Sequence, residues 1–149
     1  MSDNISQVTI ITGSFADLKE LVMPVRIEVF VDEQKVPIEL EQDDRDTFCL
    51  HVLAIIDDQP IGTGRIDIEK GGKIGRIAVL SEFRERGVGK VIMSQLETIA
   101  QDHQLSELFL NSQVAAIEFY KKQGFIPTGD VFVEADIDHV KMVKTFKKS

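Results

Sequence analysis

The stretch Ile74-Gly75-Arg76-Ile77-Ala78-Val79-Leu80, followed by Arg84-Glu85-Arg86-Gly87-Val88-Gly89-Lys90, decides the fold. The first part is strand-like. The second opens a helical run from Val88 to Gln101, in which Val88, Val91, Ile92, Leu96 and Ile99 share one side. A strand that turns through Gly-x-Gly into a helix aims free backbone N–H groups and the positive end of a helix dipole at one point. Such a point holds an anion, usually a phosphate. The two glycines let the backbone approach that anion closely. On local spacing alone, a mere turn through Gly87 and Gly89 stands on equal terms with a phosphate cradle. Two other phosphate motifs are excluded. A dinucleotide fingerprint needs a third glycine or alanine where Ile92 stands. A P-loop needs Ser or Thr where Val91 stands and glycine where Arg84 stands. Gly62-x-Gly64 lies inside a strand-like run with no helix after it.

The chain has 149 residues, 43% of them hydrophobic, which suits one globular domain spanning 1–149. Its net charge of −8 argues against nucleic acid as a partner and fits a cationic or neutral small substrate. Cys49 is the only cysteine, so no internal disulfide forms and a four-ligand zinc site is implausible; no metal is expected. Its apolar surroundings, Phe48 to Ile56, point to a buried structural thiol. The N-terminus is polar and no apolar run approaches the ~20 residues that span a bilayer. A cytoplasmic protein without membrane contact is expected.

Along the chain, Val8 to Thr12 reads as a strand and Ser14 as the cap of a short helix to about Val22. Pro24 suits the first turn of a second helix to about Asp32. An acidic loop follows from Lys35 to Asp46. Strands are expected at Phe48 to Ile56, around Ile66 and Ile68, and up to Leu80, with turns at Asp57 to Pro60 and at Gly71-Gly72. After the glycine loop come a strand at Leu108 to Asn111 and a helix from Val114 to Gln123 ended by Gly124. Two closing strands, Phe125 to Val133 and Val140 to Phe146, are joined by Glu134 to His139. Hairpins and crossovers alternate, so the class is α/β (α+β) with a mixed sheet rather than a doubly wound one.

Arg84-x-x-Gly87-x-Gly89 resembles the acyl-CoA loop of the GNAT superfamily of N-acetyltransferases. The run from Asn111 to Phe125, with Ala116-x-x-Phe119-Tyr120-x-x-x-Gly124-Phe125 at its heart, resembles that family's second motif. Arg26-x-x-Val29-Phe30-Val31-x-Glu33-Gln34-x-Val36-Pro37, with Glu41, Asp43, Asp46 and His51, is similar to its ElaA/YjcF-like branch. The resemblance implies a mostly antiparallel sheet of about seven strands flanked by about four helices, with a V-shaped split between the fourth and fifth strands. It implies transfer of acetyl from acetyl-CoA to a primary amine of a small molecule or peptide, directly within a ternary complex. A non-catalytic acyl-CoA sensor or interaction module is the alternative, and a homodimer is compatible with either.

The same resemblance implies the site. Backbone groups of Ile77, Ala78 and Val79 pair with the pantetheine arm. Arg84, Glu85, Arg86, Gly87, Val88, Gly89 and Lys90 hold the pyrophosphate, with Arg84 either touching it or bracing the loop. Asn111 ends the fifth strand near the pantetheine. Tyr120 stands by the sulfur as general acid, because acyl transfer leaves a thiolate that a phenol can protonate or hold. Phe119, beside it, counts among the cofactor contacts and is expected to pack in the core. The base stays open: Glu33, His51 and His139 are the candidates, of which His51, in a central strand, reads first as a structural histidine, and His139 reads equally as a turn histidine. The acidic loop either attracts a cationic acceptor or pairs with Arg26 and Arg45.

Overall fold

The computed structural model describes residues 7–146. Seven strands form one sheet: β1 (Thr9–Ser14), β2 (Leu50–Ile56), β3 (Gln59–Asp67), β4 (Lys73–Val79), β5 (Glu107–Gln113), β6 (Ile126–Glu134) and β7 (Ile137–Thr145). Their spatial order is β1-β2-β3-β4-β5-β7-β6. Every neighbouring pair is antiparallel except β4 and β5. Four α-helices flank the sheet: α1 (Phe15–Arg26), α2 (Ile38–Glu41), α3 (Val88–Asp102) and α4 (Ile117–Lys122).

Helix α1 begins where Ser14 Oγ accepts the Asp17 N–H at 3.2 Å. It does not stop before Pro24. Pro24 lies inside it, and the chain continues through a π-helical stretch, Ile27–Glu33. Pro24 and Glu20 are both exposed, so the Glu20 carbonyl left without a donor by the proline can turn to water. The expected helix start at Pro24 is therefore corrected to one element that widens into a π-helix.

The two faces of the sheet take different helices. Leu53 packs with Leu18 and Val22 of α1, whereas its neighbours Val52 and Ala54 join the larger core with Ile92 and Leu96 of α3. The glycines of β3 permit the close seat of α3. A Cβ on Gly62 would stand 2.9 Å from Ile92 Cδ1, and one on Gly64 would stand 3.0 Å from Ile92 Cγ2. Cys49 is buried, and that burial pushes its thiol up to about 11.

The sheet is split in the middle. Parallel pairing of β4 with β5 is confined to Lys73 and Phe109, after which the strands part. On its other edge β4 carries a bulge. Arg65 faces Gly75 and Thr63 faces Ala78, so three steps on β4 answer two on β3. Arg76, within the bulge, takes a left-handed φ of 52°. The last hairpin is tighter than expected. Ala135 (φ 50°) and Asp136 (φ 61°) make the whole connection, as in a type I′ turn. His139 consequently lies inside β7, not in a loop.

Candidate active site

A cavity of about 750 Å³ opens where β4 and β5 diverge. Ile77 comes to it from β4, Asn111 and Gln113 from β5, Tyr120 from α4, and His139 from β7. Four residues named from sequence thus converge on one space: Ile77, Asn111, Tyr120 and His139. Ala78, Val79, Glu33, Phe119 and the 84–90 loop lie outside its wall.

Tyr120 is 8% exposed and belongs to the main core cluster. Its ring meets Phe119 and Phe125 edge-on, with centroids 5.1 and 5.9 Å away. Burial drives its phenol well above the usual tyrosine range, so the hydroxyl keeps its proton at any ordinary pH. Phe119 reverses the expectation of core packing. It is 36% exposed and lies over the start of α3, where a Cβ on Gly89 would stand 3.1 Å from its Cζ. The close α3–α4 approach therefore favours glycine at position 89, as an anion would. Gly87 has its own reason, a left-handed φ of 83° at the N-cap of α3.

No side chain caps α3 among the described residues, so its first-turn N–H groups are not claimed by a capping side chain. Val88 sends its side chain into the core, Lys90 is exposed, and the Arg86 guanidinium lies 5.5 Å over the Phe83 ring. Glu85 takes a positive φ of 63°. Arg84 braces the loop. Its Nε donates to the Val79 carbonyl at 2.8 Å, and its two terminal nitrogens donate to Glu33 Oε2 and Oε1 at 2.6 and 2.7 Å. The Arg84 hydrogen bonds hold the Glu33 carboxyl below its ordinary range.

His139 is 6% exposed, with its Nδ1 2.7 Å from the Ile137 carbonyl. A carbonyl only accepts, so Nδ1 carries the proton and, in the neutral ring, Nε2 keeps a lone pair. Nε2 sits 3.8 Å from Glu134 Oε2, and the ring stacks on Phe132.

Sequence reading left undecided what the acidic loop does. Arg26, fully buried, donates from Nε to the Glu41 carboxylate at 2.9 Å and from its terminal nitrogens to Asp46 at 2.8 and 3.1 Å. Arg65 spans Asp43 and Asp46 at 2.7 Å each. Arg76 of the β4 bulge donates to the Glu41 carbonyl at 2.7 Å. Arg45 turns instead to Asp67 at 2.7 Å and to Glu69 at 3.0 Å. The loop is thus a latch on β3 and β4. Pairing with Arg26 was foreseen. Arg65 and Arg76 were not, although an arginine in each of two adjoining strands opposite an acidic loop is a signal. His51 is buried, its Nε2 donating to the Asp46 carbonyl at 2.9 Å, as a structural histidine does.

The family described as "Acetyltransferase (GNAT) domain" matches residues 18–146. The uncharacterized N-acetyltransferase YjcF of Bacillus subtilis is 42% identical over 122 residues, 80% of this chain and 87% of that protein. The crystal structure of an acyl-CoA N-acyltransferase from Pseudomonas aeruginosa superposes with a TM-score of 0.82 at 28% identity, covering 93% of this chain and 99% of the other. That of Escherichia coli ElaA does so with a TM-score of 0.81 at 28% identity, covering 91% and 99%.

Proposed function

The chain belongs to the GNAT acetyltransferase family, and from that premise we propose that it moves an acetyl group from acetyl-CoA to a primary amine of a small molecule or peptide, directly within a ternary complex. The observation that carries the reading is Tyr120, a residue of the cavity wall at the β4–β5 split whose phenol keeps its proton. The edge of β4 that faces β5 lacks a partner strand past Lys73, which suits backbone pairing of Ile77 and Ala78 with a pantetheine arm. The Val79 carbonyl is already held by Arg84. The uncapped start of α3 behind Gly87 suits the pyrophosphate, with backbone N–H groups rather than the Arg84 side chain as donors.

In the reaction, the amine nitrogen bonds to the thioester carbon and the C–S bond breaks. His139 Nε2, the lone-pair nitrogen, accepts the proton that the amine must lose. Tyr120 meets the departing sulfur. A phenol whose pKa is so far raised is a poor acid toward a thiolate, so its main contribution is a hydrogen bond that holds the developing charge. The acceptor is not drawn in by the acidic loop as a whole, because Glu41, Asp43 and Asp46 are neutralised by arginines.

Calorimetric titration with acetyl-CoA, followed by mass spectrometry of a panel of amines incubated with it, tests the reading. Binding and a product 42 Da heavier than its amine (the mass of C2H2O) support it. Absence of binding at millimolar acetyl-CoA overturns it. Binding without any acetylated product favours the sensor alternative.

A further inference from the structure

At the end of the π-helical stretch Ile27–Glu33, Glu33 and its successor Gln34 bond to the two sides of the split, one to the loop after β4 and the other to β5. Glu33 grips Arg84, in the loop that follows β4, through two hydrogen bonds of 2.6 and 2.7 Å. Gln34 Oε1 accepts from Gln113 Nε2, at the end of β5, at 2.7 Å. Gln113 is in turn the cross-strand partner of His139. One segment therefore spans the mouth of a gap that sheet hydrogen bonds do not close.

The geometry points to Glu33 as a positioning residue for the donor loop, not as a base, in an inference that rests on the acetyl-CoA reading above. Arg84 has a defined task only if its side chain is aimed. Its Nε closes back onto the Val79 carbonyl five residues earlier, which folds the 80–87 turn onto the end of β4. The remaining guanidinium edge is filled by Glu33 in a fork-to-fork pair. Without that carboxylate the guanidinium keeps only its Nε bond to the Val79 carbonyl, and the turn carrying Glu85 (φ 63°) and Gly87 (φ 83°), both left-handed, loses an outside brace. Those residues set the direction of the first N–H groups of α3. A carboxylate already engaged by both oxygens and lying outside the cavity wall is badly placed to accept a proton from the acceptor. The pair is 38% and 43% exposed, so its removal leaves the fold standing and acts on the loop.

The test compares the wild-type protein with Glu33→Gln and Glu33→Ala by acetyl-CoA calorimetry, steady-state kinetics across pH, and thermal unfolding. Glu33→Gln is expected to weaken acetyl-CoA by about fivefold, as loss of a partly exposed ion pair implies. Its kcat stays within about twofold, the pH profile of kcat keeps its shape, and Tm moves by less than ~2 °C. Glu33→Ala loses affinity at least as much, and Arg84→Gln adds nothing further on top of either. Unchanged affinity in Glu33→Ala overturns the inference. So does a collapse of kcat with a displaced pH profile at unchanged affinity, the mark of a base. A wild-type protein that fails to bind acetyl-CoA overturns the donor reading itself, and is distinguishable because the comparison then has no starting affinity.

Discussion

Tyr120 and Phe119 are adjacent aromatics in one short helix, yet only one of them faces the split. Tyr120 is 8% exposed and Phe119 36%. Sequence identified the tyrosine by its motif position but gave the phenylalanine the wrong surroundings. In a helix of six residues the apolar face is too short to read from periodicity, and both rings satisfy it equally. Tyr120→Phe keeps the ring contacts with Phe119 and Phe125 and deletes only the hydroxyl. We predict that kcat falls by about 10²-fold while the calorimetric affinity for acetyl-CoA is held within about twofold. His139→Gln retains a polar side chain of similar length but has no lone-pair nitrogen of imidazole basicity. It should lower kcat near neutral pH and recover in part as alkaline pH deprotonates the amine without help; an unchanged pH–rate profile removes the histidine from proton transfer. Glu33 shows the limit of local reading. A carboxylate's identity gives no sign of whether it is engaged, and its partner lies 51 residues further along the chain.

The order of the sheet elements was legible because each carries its own signal: alternating strands, a helix after Gly-x-Gly, and a glycine after α4. What escaped were features created by contacts. Ala135 and Asp136 turn a hairpin with two left-handed residues and no glycine, so the sequence carries no glycine signal for the turn and reads His139 as part of a loop. Pro24 reads as a helix start from sequence because its conformation suits both a first turn and an exposed interior position. The glycine loop was legible as a motif, but its two glycines have different causes. Gly87→Ala places a Cβ at φ 83° and should cost ~1–2 kcal/mol whatever surrounds it. Gly89→Ala drives a methyl to 3.1 Å from Phe119 Cζ, which obliges the Phe119 ring to give way and should cost about 1 kcal/mol. The two differ in their remedy. Phe119→Leu should rescue the stability of Gly89→Ala in a double-mutant cycle read by chemical denaturation, and should do nothing for Gly87→Ala. Equal rescue of both would mean that Phe119 acts on the loop as a whole.

Across the whole molecule, the arginine-rich latch turns an acidic sequence into a pH-dependent fold. Arg26, Glu41 and Asp46 are each at most 1% exposed, and Arg65 and Arg76 extend the cluster to β3 and β4. Burial alone would raise Asp46 and lower Arg26. Their mutual hydrogen bonds and charges outweigh it, so the aspartate stays below and the arginine above the ordinary range. Arg26→Met would leave Glu41 and Asp46 buried with too little positive charge, and should cost ~3–5 kcal/mol. His51 sits against this cluster, its ring 5.0 Å from Phe15, with its Nδ1 buried and lacking a hydrogen-bond partner among the described residues. Burial lowers its pKa from 6.5 and outweighs the upward pull of the Asp46 hydrogen bond and charge, while the Arg26 and Arg65 charges add smaller downward pushes. The sign follows directly. Below pH 6.5 the unfolded chain binds a proton at this histidine that the native chain refuses, so stability falls as pH falls. The carboxylates of Asp43, Asp46 and Asp67 are held below their ordinary 3.8 in the native state, so they remove stability in the same direction, but only as the pH approaches that value. Acid unfolding should therefore show an early decline that begins near pH 6.5, followed by a steep one below about 4. His51→Gln can keep a donor to the Asp46 carbonyl and cannot titrate. Chemical denaturation of that variant should lose the early decline and retain the late one, whatever the other histidines contribute to both proteins. An early decline of the same slope in His51→Gln would place its origin elsewhere in the molecule.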